Sequence, residues 1–242
     1  MTTTPAAAPS GSAAAPAATP TATIRTMIVC LPDGLPGETL TAHQLDRRVA
    51  VSGTLQPRFW ASPALFRWQR RHLVAPRKSR PISCAGGPAR LLDLPGMRHA
   101  AGIAAGHRYA LWQRVVHGTR PAVAWPVFLA RHLADPGRYP WQTAAAAFTD
   151  QPRVNAMRLH NTVTPSAGRL PVEELEMFQA GPLAYQHYRA TTAVCGDALL
   201  TPDGHTLAPA SDTLCHRVTY LEQAGRYLDT VEPDQRLLAV TL

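Results

Sequence analysis

Residues 95–118, PGMRHAAGIAAGHRYALWQRVVHG, form the longest stretch of the chain with a helical apolar period. Pro95 suits a first helical turn, where a missing N–H costs nothing. Gly118 suits the exit, because glycine takes the left-handed conformation that ends many helices. Met97, Ala100, Ala101, Ala104, Leu111, Trp112 and Val115 recur at spacings of three and four, which places them on one face. His99, Gly106, Gln113, Arg114 and His117 fall opposite. The alanines at 100, 101, 104 and 105 are small enough to let a second helix approach closely. Arg108 breaks the pattern. It lies inside the apolar face, so its guanidinium has to snorkel to water, meet a carboxylate or hold an anionic ligand.

The flanking segments supply more helices and a few strands. On the N-terminal side, IRTMIVC (24–30) is β-branched and apolar and runs toward Pro32-Asp33-Gly34, the pattern of a buried strand and a turn. AHQLDRRVAV (42–51) fits helix or strand. Ser62 and Pro63 suit the start of a helix running to about Val74, with Leu65 and Trp68 on one side and Phe66 and Arg70 on another. In CAGGPARLLDLPG (84–96), Gly86-Gly87 predicts a turn. On the C-terminal side a helix spans 125–134, with Trp125, Phe128, Leu129 and Leu133 inward. Two more helices split at Gln151-Pro152, with Trp141, Ala145, Phe148, Val154, Met157 and Leu159 as packing residues. Pro171 and Gly181-Pro182 open further helices. ALLTPDGHTLA (198–208) reads as a hairpin around Pro-Asp-Gly. Ser211 or Asp212 caps a last helix with a seam of Leu214, Val218, Leu221, Ala224, Gly225 and Leu228. RLLAVTL (236–242) is a β-prone end that pairs with residues 25–31 or with the hairpin. The expected class is α+β, mainly α-helical: an irregular helical domain of roughly seven to nine helices with a small antiparallel β element.

Composition narrows the class further. The apolar fraction of 45% is ordinary for a folded chain, and no run approaches the ~18 apolar residues of a spanning helix, which argues against a membrane protein. Residues 1–24 are Ala, Pro and Thr-rich, with neither the basic start nor the leucine-rich centre of a secretory signal. They read as a disordered tail on a cytoplasmic protein, with residues 25–242 as one mainly helical domain. Cys30, Cys84, Cys195 and Cys215 form no C-x-x-C pair and read as small buried hydrophobes.

Charge is divided unevenly. Residues 1–169 hold 20 basic and six acidic residues, a net +14, whereas residues 170–242 hold four basic and ten acidic, a net −6. Two explanations compete: the basic part meets an anionic partner, or the two parts neutralise each other within the chain or between copies.

The stretch RFWASPALFRWQRRHLVAPRKSR (58–80) concentrates this charge and contains no acidic residue. Arg58, Arg67, Arg70, Arg71, Arg77, Lys78 and Arg80 are interleaved with Phe59, Trp60, Phe66 and Trp68. Cations displace counterions from phosphates and rings stack on bases, so Arg58, Trp60, Arg67, Trp68, Arg70, Arg71, Arg77, Lys78 and Arg80 are the expected nucleic-acid or polyanion contacts. The competing expectation is a solvated basic helix whose rings belong to the core. No homeodomain, zinc-finger, RRM or KH pattern accompanies the stretch.

Catalytic and ligand motifs are lacking in the sequence. Neither phosphate-loop spacing occurs near Gly86-Gly87, and H-E-x-x-H and G-x-S-x-G are missing. No two of the ten histidines lie three or four apart, so neither a metal nor a cofactor is expected. Glu173 and Glu174 fit the first turn of a helix, where negative charge is favourable. The leading expectation is a non-enzymatic binding protein. The alternatives are an adaptor that docks its acidic C-terminal helices on a protein partner or on another copy, and an enzyme drawing on His99, Arg108 and His117.

Overall fold

A computed structural model of the chain describes residues 22–31 and 53–242. The expected tail through residue 21, the turn at 32–34 and the segment 42–51 lie outside the described residues. The class is the expected one, mainly helical α+β.

The strand read from IRTMIVC is β1 (Thr26–Leu31), and all six of its residues are buried. Four short strands follow: β2 (Thr54–Leu55), β3 (Phe59–Trp60), β4 (Ser83–Cys84) and β5 (Gly86–Pro88). The hairpin is β6 (Ala198–Leu200) and β7 (Thr206–Leu207), and the C-terminal segment is β8 (Arg236–Thr241). β8 pairs with β1 antiparallel over six residues, from Thr26 opposite Thr241 to Leu31 opposite Arg236. β6 pairs with the other edge of β1 in parallel, so the sheet is mixed rather than wholly antiparallel. β2 and β5 share the far edge of β8, one beside its end and one beside its start. This last pairing explains the double glycine. A Cβ at Gly86 would lie 1.9 Å from the carbonyl oxygen of Leu237, so Gly86 admits a close strand approach instead of forming a turn.

Alternation sends Ile28, Cys30, Leu199, Leu237 and Ala239 to one face of the sheet and Met27, Val29, Leu31, Leu200, Leu238 and Val240 to the other. Both faces are buried, which is why the strand sequences are continuously apolar.

The central helix is α1 (Leu94–Val115). Asp93 caps it by accepting the Gly96 N–H at 2.9 Å, and Gly118 beyond its end has φ +75. The helices that follow it are α2 (Trp125–Ala134), α3 (Trp141–Thr149), α4 (Pro152–Val163), α5 (Leu175–Gln179), α6 (Pro182–Cys195) and α7 (Leu214–Thr230). The N-terminal half of α1 adds Met97 to the face of the sheet that also receives Val194 and Cys195 of α6 and Leu221, Ala224 and Leu228 of α7. Its C-terminal half enters a second core with α4, α5 and the start of α6, where Trp112, Phe178 and Tyr185 stack in series at 5.2 and 4.3 Å.

This division rotates the buried face of α1 from the expected one. Ala105, Tyr109 and Trp112 are buried, Ala104 is exposed, and Gly106 turns toward Gln186 of α6. A run of alanines carries apolar character on several faces at once, so the neighbours set the angle. The same weakness affects α2 and α3, which join through edge-to-face contacts among Trp125, Trp141, Phe128 and Phe148. Only Ala144 of the pair is buried. Leu133 and Trp141, expected inward, remain nearly half exposed, and Leu159 of α4 is 66% exposed.

Candidate polyanion interface

The helix expected over residues 63–74 is replaced by a turn and a 3₁₀ segment, Arg67–His72. Ser62 Oγ accepts only the nearby Ala64 N–H, and Gln69 Oε1 accepts the Phe66 N–H. Leu73 and Val74 leave the helical path because Val74 exchanges two backbone hydrogen bonds, donating to Gly86 and accepting from Ala85, each at 2.8 Å. Tertiary pairing thus overrides the local helix signal.

With three residues per turn, Arg67 eclipses Arg70 and Trp68 eclipses Arg71. No residue of the 3₁₀ segment is buried. Phe66 and Trp68, expected on different sides of an α-helix, stack on each other in solvent, with ring centroids 6.5 Å apart and planes 10° from parallel. They are 65% and 61% exposed. Leaving two such rings in water forgoes roughly 1.5–3 kcal/mol of burial each.

The chain then descends to Val74 and returns as a loop. Arg77 and Ser83 close its neck by a backbone hydrogen bond of 2.7 Å. Ser79 braces the inside, its hydroxyl meeting the Pro81 carbonyl, the Ser83 hydroxyl and the Ser83 N–H within 2.7–2.9 Å. Arg77, Lys78 and Arg80 project from this braced loop into solvent. They join Arg70 along one open groove of about 620 Å³, which is also lined by Leu73, Pro76 and Ile82.

The nine residues expected to act together therefore divide. Arg67, Trp68, Arg70, Arg71, Arg77, Lys78 and Arg80 share the exposed segment. Arg58 and Trp60 do not. Arg58 donates to the carbonyls of Thr192 (2.5 Å) and Ala193 (3.1 Å), closing the C-terminal end of α6. Burial pulls its pKa down, and the charge of Asp197 opposes that shift. Trp60 lies in β3, half-buried against the core, with its backbone N–H on Met97 Sδ. Phe66 takes the aromatic position that Trp60 was expected to fill. The sequence signal for it, an aromatic two residues before Trp68, becomes readable only once the segment is known not to be α-helical.

Among the described residues, no ion pair involves a cation between Arg67 and Arg80. The arginine–carboxylate pairs lie elsewhere: Arg90–Asp234 and Arg98–Asp229 at 2.6 Å, Arg189–Glu174 at 2.5 Å and Arg217–Asp212 at 2.9 Å. Two of these pairs, Arg90–Asp234 and Arg98–Asp229, join the basic part to the acidic one, so neutralisation within the chain accounts for part of the charge division.

The other sequence candidates fall into structural roles. Glu174 is largely buried, accepting from the Tyr185 hydroxyl at 2.6 Å as well as from Arg189. Arg108 is partly exposed and stands near the same hydroxyl. Burial, then the Glu174 hydrogen bond, pushes the Tyr185 pKa up. His99 on α1 and His117 in the turn past its end are both exposed, and the helix rises roughly 24 Å between His99 and Val115, so the trio with Arg108 does not converge. Cys30, Cys84 and Cys195 are buried as expected, whereas Cys215 is exposed. Among the described residues no three His, Cys, Asp or Glu side chains gather, and no helix is long and apolar enough to cross a membrane. No protein-family model, curated protein or solved structure matches the chain.

Proposed function

We propose that the protein is a non-enzymatic binding protein for nucleic acid or another polyanion, working through the surface formed by residues 66–80. The observation that carries the reading is the groove flanked by Arg70, Arg77, Lys78 and Arg80, whose cations have no carboxylate partner among the described residues. Arg67 and Arg71 extend the positive surface on the adjoining turn. Binding releases counterions from the polyanion, and the number released follows the number of phosphates or sulfates neutralised.

The docking of the acidic C-terminal helices on another protein has less support, because Asp212, Asp229 and Asp234 already meet arginines of the same chain. A salt titration tests the polyanion reading. Fluorescence anisotropy of labelled heparin and of labelled oligonucleotides is expected to report binding at low ionic strength that weakens linearly on a log–log plot, with a slope of roughly −3 to −5. Absence of binding at the lowest ionic strength rejects it.

A further inference from the structure

Resting on the polyanion reading above, we infer that the ligand is single-stranded nucleic acid, held by its phosphates in the Arg70–Arg80 groove and by a base on the Phe66–Trp68 stack. Three observations favour that occupant over a duplex, a polysaccharide or an acidic peptide. The rings are nearly parallel and more than three-fifths exposed, although a hydrophobic cluster lies a few residues away. A stacked pair in solvent offers a flat face, and flat π-faces are what an unpaired base presents and a paired base hides. The sugar rings of a sulfated polysaccharide are puckered and have no π-face, and a carboxylate peptide such as polyglutamate has no ring.

The platform and the groove are also adjacent by construction. Trp68 and Arg70 belong to the same 3₁₀ segment, so the ring sits two residues from a cation that lines the groove. A strand whose base rests on the rings has its phosphates carried toward Arg70 and the loop. The third observation is the bracing. Ser79 hydrogen-bonds three times within its own loop, so Lys78 and Arg80 are presented on a backbone that is already ordered. A preformed cationic edge beside a ring pair fits a ligand with a regular alternation of phosphate and base.

The test compares four probes by anisotropy at one salt concentration: oligothymidylate, an abasic oligomer of equal length, a duplex, and polyglutamate. Each is measured with the wild type and with the double variant Phe66→Ala/Trp68→Ala. Both rings are largely exposed, so the variant is expected to fold, which circular dichroism checks. Trp68→Phe serves as the conservative control. The expected result is that oligothymidylate binds roughly five- to 100-fold tighter than the abasic oligomer, and that the double variant loses this margin while keeping the abasic affinity. Trp68→Phe is expected to retain most of it. Equal binding of all four probes, unchanged by the double variant, overturns the single-strand assignment and leaves the polyanion reading intact. Binding of neither these probes nor heparin removes both.

Discussion

Arginines meet two different fates in this protein. Arg58, Arg90, Arg98, Arg189 and Arg217 are held by the chain's own carbonyls and carboxylates. Arg67, Arg70, Arg71, Arg77 and Arg80 stand on an exposed turn and loop, and the segment that carries them contains no acidic residue. The first group ties elements together: Arg58 fastens the approach to β3 onto α6, Arg90 and Arg98 bridge to residues around the end of α7, and Arg189 holds the turn before α5 to α6. The second group meets no carboxylate among the described residues. Charge counts alone merge the two, because a guanidinium contributes the same +1 wherever it stands.

The contrast can be sharpened by removing members of each group. The largest effect is expected for Arg70→Ala/Arg77→Ala/Lys78→Ala/Arg80→Ala. Polyanion affinity at low salt should fall by a factor on the order of 10²–10³, with the log–log salt slope reduced by about 3. The melting temperature should stay close to that of the wild type. A variant that melts early, or one that binds normally, breaks the contrast. Arg58→Met should do the reverse. Loss of its charge-assisted hydrogen bonds to Thr192 and Ala193 is expected to cost about 2 kcal/mol in a urea melt, with binding unchanged.

Core thiols supply a control on a different axis. Burial raises Cys30 and Cys195 to about 12 and Cys84 to about 11, from an ordinary value of 9.0. Unfolded thiols lose protons above the ordinary value while folded ones keep them, so the unfolded chain binds fewer protons in that interval. The contribution is fully present below about pH 9 and is lost progressively as pH rises through the folded values, so stability should fall between about pH 9 and 12. A flat stability profile over that range would mean that the thiols are not buried as described. The smallest effect is expected for Arg98→Ala. Its partner Asp229 is 60% exposed, so breaking the pair should cost less than about 1 kcal/mol and leave binding unaltered.

Much of the framework was legible where local chemistry and tertiary demand agree. The unbroken apolar runs of β1 and β8 can only be strands buried on two sides, and they are each other's partners. Pro152, Gly181-Pro182 and the Pro-Asp-Gly turn mark boundaries because their backbone constraints act regardless of context. Legibility failed where a distant neighbour decided the outcome. The 63–74 segment has helix-forming residues, yet Val74 is claimed by Gly86. Gly86 resembles a turn residue, yet its small size serves the approach of β8. Arg58 sits in the same charge run as Arg67, and nothing local says that the end of α6 will lie beside it. The cluster of exposed cations was therefore readable as a tendency, whereas its membership and its aromatic pair required the geometry.

The position of β1 in the sheet also governs how the chain is made. Its parallel neighbour is supplied by residues 198–200 and its antiparallel neighbour by residues 236–241. At ~5–20 residues per second, a ribosome takes roughly 10–40 s to travel from the first of these strands to the last. Until residues 198–200 are made, the nascent β1 carries two unfilled hydrogen-bonding edges on an apolar ribbon, the kind of segment that invites aggregation or chaperone capture, and one edge stays without its partner until residues 236–241 follow. Completion of the sheet consequently waits for the synthesis of residues 236–241, after the helical segments that separate them from β1 have been made.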